Sequence, residues 1–168
     1  QVEVIVVADS EADIFELLVE AQEKNVESAE PQAQWIVRAC YDRVLSREKN
    51  ADKDAAKCVY EAVEAGAVLS TYTVAVRGRE SKVECETRGR RQPRESREAT
   101  VEVRASRVTL RAPSRPDRKL PDTTVNAVLV REIGAPPGEI PIEWLLLTSL
   151  PIDTAEQVLR VIQLYCVR

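Results

Sequence analysis

Val2-Glu3-Val4-Ile5-Val6-Val7-Ala8-Asp9-Ser10-Glu11-Ala12-Asp13-Ile14 is the stretch on which the fold turns. Its opening residues form a β-branched run with the length and content of a strand buried on both faces, as in a parallel sheet. Asp9 stands at the carboxyl end of that run, and Ser10 to Asp13 has the spacing of a capping box. Ile14, Leu17, Leu18 and Ala21 follow at helical intervals as far as Glu23-Lys24-Asn25. The order is strand, acidic turn, helix.

Downstream, Gln34 to Cys40 reads as a second strand, which completes a β-α-β unit of ordinary size. A polar link leads to a helix over residues 54–65, with Val59, Ala62 and Val63 on one side and Gly66 ending it. From Val68 the pattern changes to alternation. Residues 68–76, 99–105 with 108–110, and 124–130 read as strands with one wet face, separated by Arg-rich and Pro-rich loops. Ile142 to Ser149 returns to a buried-strand pattern. Beyond Pro151 a helix runs to the end on Ala155, Val158, Leu159, Ile162, Tyr165 and Cys166. The expected architecture is α/β, with an antiparallel meander set between two parallel-type pieces.

Composition narrows the chemistry. The 168 residues are 44% hydrophobic, enough for a packed core and incompatible with a disordered chain. No histidine is present, and Cys40, Cys58, Cys85 and Cys166 form no C-x-x-C pair, so neither a zinc site nor a disulfide framework is supported. The same absence removes the commonest general base, leaving carboxylates and a metal as the available chemistry. With no apolar run of about 18 residues and no signal-peptide pattern, a soluble protein of the cytoplasm is expected, with no membrane partner. Both ends, one lacking methionine and the other falling inside a helix, read as cuts through a larger protein.

The net charge of −4 argues against a nucleic-acid partner until its distribution is considered. Residues 77–119 hold fourteen Lys and Arg against seven Asp and Glu. That basic stretch within an acidic chain is either a phosphate-binding surface or a solvated charged hairpin.

An aspartate at the carboxyl end of a buried strand occupies the position where open α/β sheets place ligands and catalysis. Asp9 there is either a ligand for a divalent cation or a residue favoured by the helix N-terminus. Val6-Val7-Ala8-Asp9-Ser10-Glu11-Ala12-Asp13-Ile14 resembles the second-aspartate motif of the insertion-sequence-four family of bacterial DDE transposases. Glu143-Trp144-Leu145-Leu146-Leu147-Thr148-Ser149 is similar to that family's Trp-Leu-Leu-Leu-Thr-Ser strand. Leu159-Arg160-Val161-Ile162, with Tyr165-Cys166-Val167-Arg168, resembles the start of its Y-x2-R-x3-E-x6-K signature. These segments come in the family's order with a basic β-rich insertion between them, and together they cover nearly the whole chain.

The resemblance implies a partial RNase-H-like (ribonuclease H-like) catalytic core from residues 1–40 and 142–168, interrupted by a mainly antiparallel β insertion subdomain at 41–141. It implies that Asp9 is the catalytic triad's second aspartate and a direct ligand in a two-metal site for Mg²⁺ or Mn²⁺ in the intact enzyme. Tyr165 and Arg168 would grip a phosphate, Trp144 would stack on a base flipped out of the duplex, and Arg38 would contact DNA. Each of these three side-chain types has a structural alternative: Trp144 and Tyr165 as core, Arg38 as the partner of a neighbouring carboxylate. Asp13 is assigned to stabilising the turn and helix start. Implied partners are double-stranded DNA, as transposon ends and target, and a second copy in a homodimeric synaptic complex. The nucleoid of a bacterium is the implied setting.

The departures are specific. Ser10 stands where the family often has arginine. The family's first aspartate falls upstream of Gln1, and its glutamate and lysine fall four and eleven positions beyond Arg168. The fragment alone is therefore expected to be inactive. A non-catalytic nucleic-acid-binding module is the alternative from another class.

Overall fold

The structure, a computed structural model, describes residues 3–27, 33–46, 55–78 and 95–167. Arg168 and the basic residues between positions 79 and 94 lie outside the described residues. Ten described elements follow one another: β1 (Ile5–Ala8), a 3-10 turn (Ser10–Ala12), α1 (Phe15–Glu27), β2 (Gln34–Arg38), α2 (Val59–Glu64), β3 (Ser70–Val76), β4 (Arg97–Leu110), β5 (Thr123–Glu132), β6 (Glu143–Thr148) and α3 (Ala155–Val167). The fold is α/β, built on one six-stranded mixed sheet in the order β1-β2-β6-β5-β4-β3.

β1 and β2 are parallel neighbours joined through α1, as the sequence predicts for a β-α-β unit. Every other pairing is antiparallel. β6 therefore departs from the parallel expectation. Its unbroken apolar run reflects burial on both faces, with Leu146 on one side and Leu147 on the other, and burial alone says nothing about strand direction. β6 bonds to β2 on one side and β5 on the other, so the divisions at 40/41 and 141/142 fall between strands of a single sheet.

Side-chain alternation assigns the two faces. α3 covers the first. Val158, Val161, Ile162 and Tyr165 pack there against Ile36 of β2, Leu146 of β6, Val128 and Val130 of β5, Val101 and Val103 of β4 and Val74 and Val76 of β3. Burying those four helix residues contributes on the order of 6–12 kcal/mol as an upper estimate, so packing holds this 13-residue helix in place. Tyr72 Oη of edge strand β3 donates to Ala155 O at 3.3 Å, while Arg160 pairs with Glu3 just before the opposite edge strand, β1. Contacts from both edges mean that the sheet curls around α3.

The second face is covered by α1, through Phe15, Leu18 and Val19, and by α2, through Val59 and Val63. Central β5 is consequently buried on both sides, with Val125, Ala127 and Leu129 facing α1 and α2 and Val128 and Val130 facing α3. The single wet face expected for it is absent. Edge strand β3 keeps one, with Thr71, Thr73 and Ala75 exposed. Between β5 and β6 the chain turns at Gly134 and Gly138, whose φ values of 67° and 85° favour glycine.

Candidate functional site

Because β1 and β2 are parallel with Ala8 beside Val37, the next residues, Asp9 and Arg38, emerge side by side at the carboxyl ends of the two strands. Alternation puts both on the face that α3 covers: Val7 pairs with Ile36, and Arg38 lies opposite Leu146 of β6. Asp9 caps the 3-10 turn from an extended backbone conformation, its Oδ1 accepting from Ser10 N at 2.9 Å. Arg38 Nη1 stands 3.8 Å from the same oxygen, and the two side chains are 41% and 42% exposed. An ion pair this open contributes less than about 1 kcal/mol. The open pair leaves Arg38 able to turn to a ligand at little cost.

Trp144 enters this end of the sheet from β6, two residues before Leu146 and on the same face. α3 runs back toward it, and Tyr165 meets it edge to face with ring centroids 5.2 Å apart. Tyr165 is only 5% exposed and belongs to the core, whereas Trp144 is half-buried at the core's margin. The fold therefore gathers Asp9, Arg38 and Trp144 on one face at one end, with the carboxyl end of α3 beside them. It seats Tyr165 beneath Trp144 as a support.

Asp13 does something the motif did not reveal. The capping-box spacing predicts a helix beginning at Ser10, yet Ser10–Ala12 is a separate 3-10 turn and α1 starts at Phe15. The Asp13 side chain is fully buried. It accepts from Cys40 N at 2.7 Å, Tyr41 N at 3.3 Å and Arg43 Nε at 2.9 Å, with Arg43 Nη2 on the same oxygen. It thereby ties the exit of β2 to the exit of β1. Arg43 also donates to Asp13 O at 2.8 Å and stacks over Phe15, 5.7 Å from the ring centroid. Arg43 sits in a polar link with no periodicity, and no local signal marks it as the partner.

A second buried pair lies on the α3 face toward β4. Arg97 pairs with Glu132 through its two terminal guanidinium nitrogens, and Glu132 also accepts from Ile142 N at 2.8 Å. Glu132 holds the Arg97 guanidinium above its already high range. Both residues are committed to each other, which makes the pair a brace between β4, β5 and the entry to β6.

The donor chemistry at Asp9, a half-exposed carboxylate oxygen, suits Mg²⁺ or Mn²⁺. Among the described residues no group of three or more acidic or cysteine side chains forms a cation site. Asp9 fits the role of one ligand in a larger set. No protein-family model matches the chain.

Proposed function

We propose that the chain is part of an RNase-H-like catalytic core of a cut-and-paste DNA transposase, which cleaves and rejoins phosphodiester bonds at transposon ends. One observation carries this: two of the three sequence segments that resemble the family deliver Asp9 and Trp144 to one end of one sheet face, and the third, on α3, runs toward that end. Asp9 is then one ligand for a divalent cation, Mg²⁺ or Mn²⁺, and the remaining ligands of a two-metal site come from outside the described residues. The chemistry such a cation supplies is activation of the attacking oxygen and neutralisation of the leaving one.

The chain's own residues bind and orient. Arg38 offers a planar fork of donors to a phosphate and is held beside Asp9 only by an open ion pair. A phosphate drawn to Arg38 arrives next to the Asp9 carboxylate. Trp144, braced from beneath by Tyr165, presents an aromatic surface at the same end, suited to stacking on an unpaired base. Arg168, the next residue along from α3, is the proposed phosphate contact of the family signature. Tyr165 serves that signature by positioning Trp144. Double-stranded DNA is the partner, bound by a dimer at paired ends.

A non-catalytic nucleic-acid-binding module is favoured instead by the lack, among the described residues, of a group of three acidic side chains around Asp9 and by the cation already beside it. The coding sequence beyond Arg168 separates the two. Glutamate at the fourth following position and lysine at the eleventh support the transposase. Any other pair leaves the binding module as the better account.

A further inference from the structure

We propose that the β4–β5 loop, residues 111–122, is a second contact for the phosphodiester backbone of double-stranded DNA, distinct from the Asp9 end of the sheet. The loop belongs to the opposite face: Ala112 and Leu120 pack into the cluster beneath α1 and α2. Its identification as a DNA contact, as against a contact for another polyanion, rests on the nucleic-acid reading above.

The loop is built to hold a shape. Arg111 N donates to Val44 O at 2.9 Å and Ser46 N to Thr109 O at 2.8 Å, which straps the segment after β2 along its base. Asp122 closes the neck, its carboxylate accepting from Ala112 N at 2.8 Å and from the Ser46 hydroxyl. Pro113, Pro116 and Pro121 each fix a backbone angle. A loop restrained this way loses little conformational entropy when a ligand arrives.

Its cations surround an open hollow of about 660 Å³, inside the size range of ligand sites. Arg115 and Arg118 both reach across to Glu16 Oε1 of α1, at 3.1 and 3.3 Å, and their side chains are about half exposed. A guanidinium carries five donors and one carboxylate oxygen cannot occupy them all. Glu16 therefore aims the two arginines and leaves donors for a second anion. Arg111 and Lys119 also line the hollow, and among the described residues neither has an ion pair within 4 Å, Arg111 acting on Asp122 only at longer range. Asp117 and Asp122 are the opposing charges on the lining, and Asp122 is already spent on the neck. Four cations converging on a shaped hollow, two of them with no ion pair within 4 Å among the described residues, are what a phosphate backbone recruits, and such contacts set position and not sequence.

The test is duplex binding by the 168-residue chain, read by fluorescence anisotropy between 50 and 300 mM salt, for wild type, R111A/K119A, R38A and D9A. Arg111 and Lys119 are exposed, so unchanged thermal melting is the folding control. For the loop variant the salt slope falls by about 1.8, two phosphate contacts at roughly 0.9 each, with affinity down on the order of tenfold or more at 50 mM. The change is the same for unrelated duplex sequences. Wild-type slope and affinity in R111A/K119A, or no duplex binding by wild type at 50 mM salt, overturns the proposal. So does a loop variant that binds duplex normally but loses affinity for vesicles of anionic phospholipid. Loss in R38A alone removes the loop and leaves the Asp9 end intact. Loss in R111A/K119A alone establishes the loop and takes support from the Asp9 end.

Discussion

Asp9 and Asp13 lie four residues apart, and the structure gives them opposite duties that thermal unfolding separates. Asp13→Ala removes a carboxylate with no exposed surface that accepts two backbone N–H groups and holds Arg43, itself 16% exposed. Breaking one side of a buried ion pair costs about 3–5 kcal/mol, because the partner charge and the backbone donors lose their acceptor. For a domain of this size that is a fall in Tm of roughly 6–20 °C. Asp9→Ala loses a capping hydrogen bond and an open ion pair, together about 1–2 kcal/mol. Asp13→Asn, which keeps one acceptor, falls between them. Calorimetry on the three variants and wild type gives the order directly. An Asp13→Ala protein within 1 kcal/mol of wild type, or an Asp9→Ala protein as unstable as Asp13→Ala, would refute the division of labour and return Asp9 to a structural role.

Three further outcomes follow from the packing and the charges. Glu132→Ala strands Arg97 on the α3 face and removes the acceptor for Ile142 N, so it destabilises by about 3–5 kcal/mol in urea unfolding; an effect below 1 kcal/mol contradicts the buried brace. Leu146→Ala, at a fully buried position between β2 and β5, costs about 2–5 kcal/mol, against roughly 0.5 kcal/mol or less for Ile140→Ala at an exposed one. The N–H of Ala112 and then the Ser46 hydroxyl hold the Asp122 carboxyl below its ordinary range. The neck of the β4–β5 loop is therefore secured above the ordinary aspartate pKa near 3.9 and loosens as pH falls through the lower, folded value. Amide exchange at Ala112 followed from pH 6 down to pH 2 shows this, and equal protection across the range contradicts it.

Local patterning made the two ends of the chain legible. The helical spacing names α1 and α3 correctly, and in α3 the buried residues Val158, Ile162 and Tyr165 lie on the expected face. In α1 the buried face is Phe15, Leu18 and Val19, while Ile14 and Leu17 are exposed. The β-branched run before Asp9 forms edge strand β1 with Val4 and Val6 exposed, not the strand buried on both faces that its content suggests, because composition does not reveal a strand's place in the sheet. What escaped is long-range. Ser106 and Arg107 interrupt the apolar pattern, yet they pair with Ala127 and Asn126 and β4 runs unbroken for 14 residues. The pattern changes phase there because the buried face switches, with Ala99, Val101 and Val103 facing α3 and Val108 and Leu110 facing α1 and α2. β6 gave its burial but not its direction. The first turn expected of α2 lies partly beyond the described residues, and the described helix begins only at Val59. At the candidate site, Asp9 and Arg38 each stood out alone, Asp9 by position and Arg38 by interrupting an apolar strand. Their adjacency follows only from the parallel register of β1 and β2. For Trp144 and Tyr165 the resemblance implies DNA contacts, with a core role as the alternative, and the burial of Tyr165 against Trp144 places Tyr165 in the core. Asp13 was legible as structural, but its partner 30 residues away was not.

Manganese-induced broadening of backbone amide signals, recorded with duplex DNA present so that phosphate can complete the coordination, bears most directly on Asp9 as a metal ligand, because paramagnetic broadening registers even weak occupancy. With Asp9 as a ligand, the signals around Asp9, Ser10, Arg38 and Ala39 are selectively lost in wild type and return in Asp9→Ala. Uniform broadening across the chain, or the same local broadening in both proteins, contradicts it.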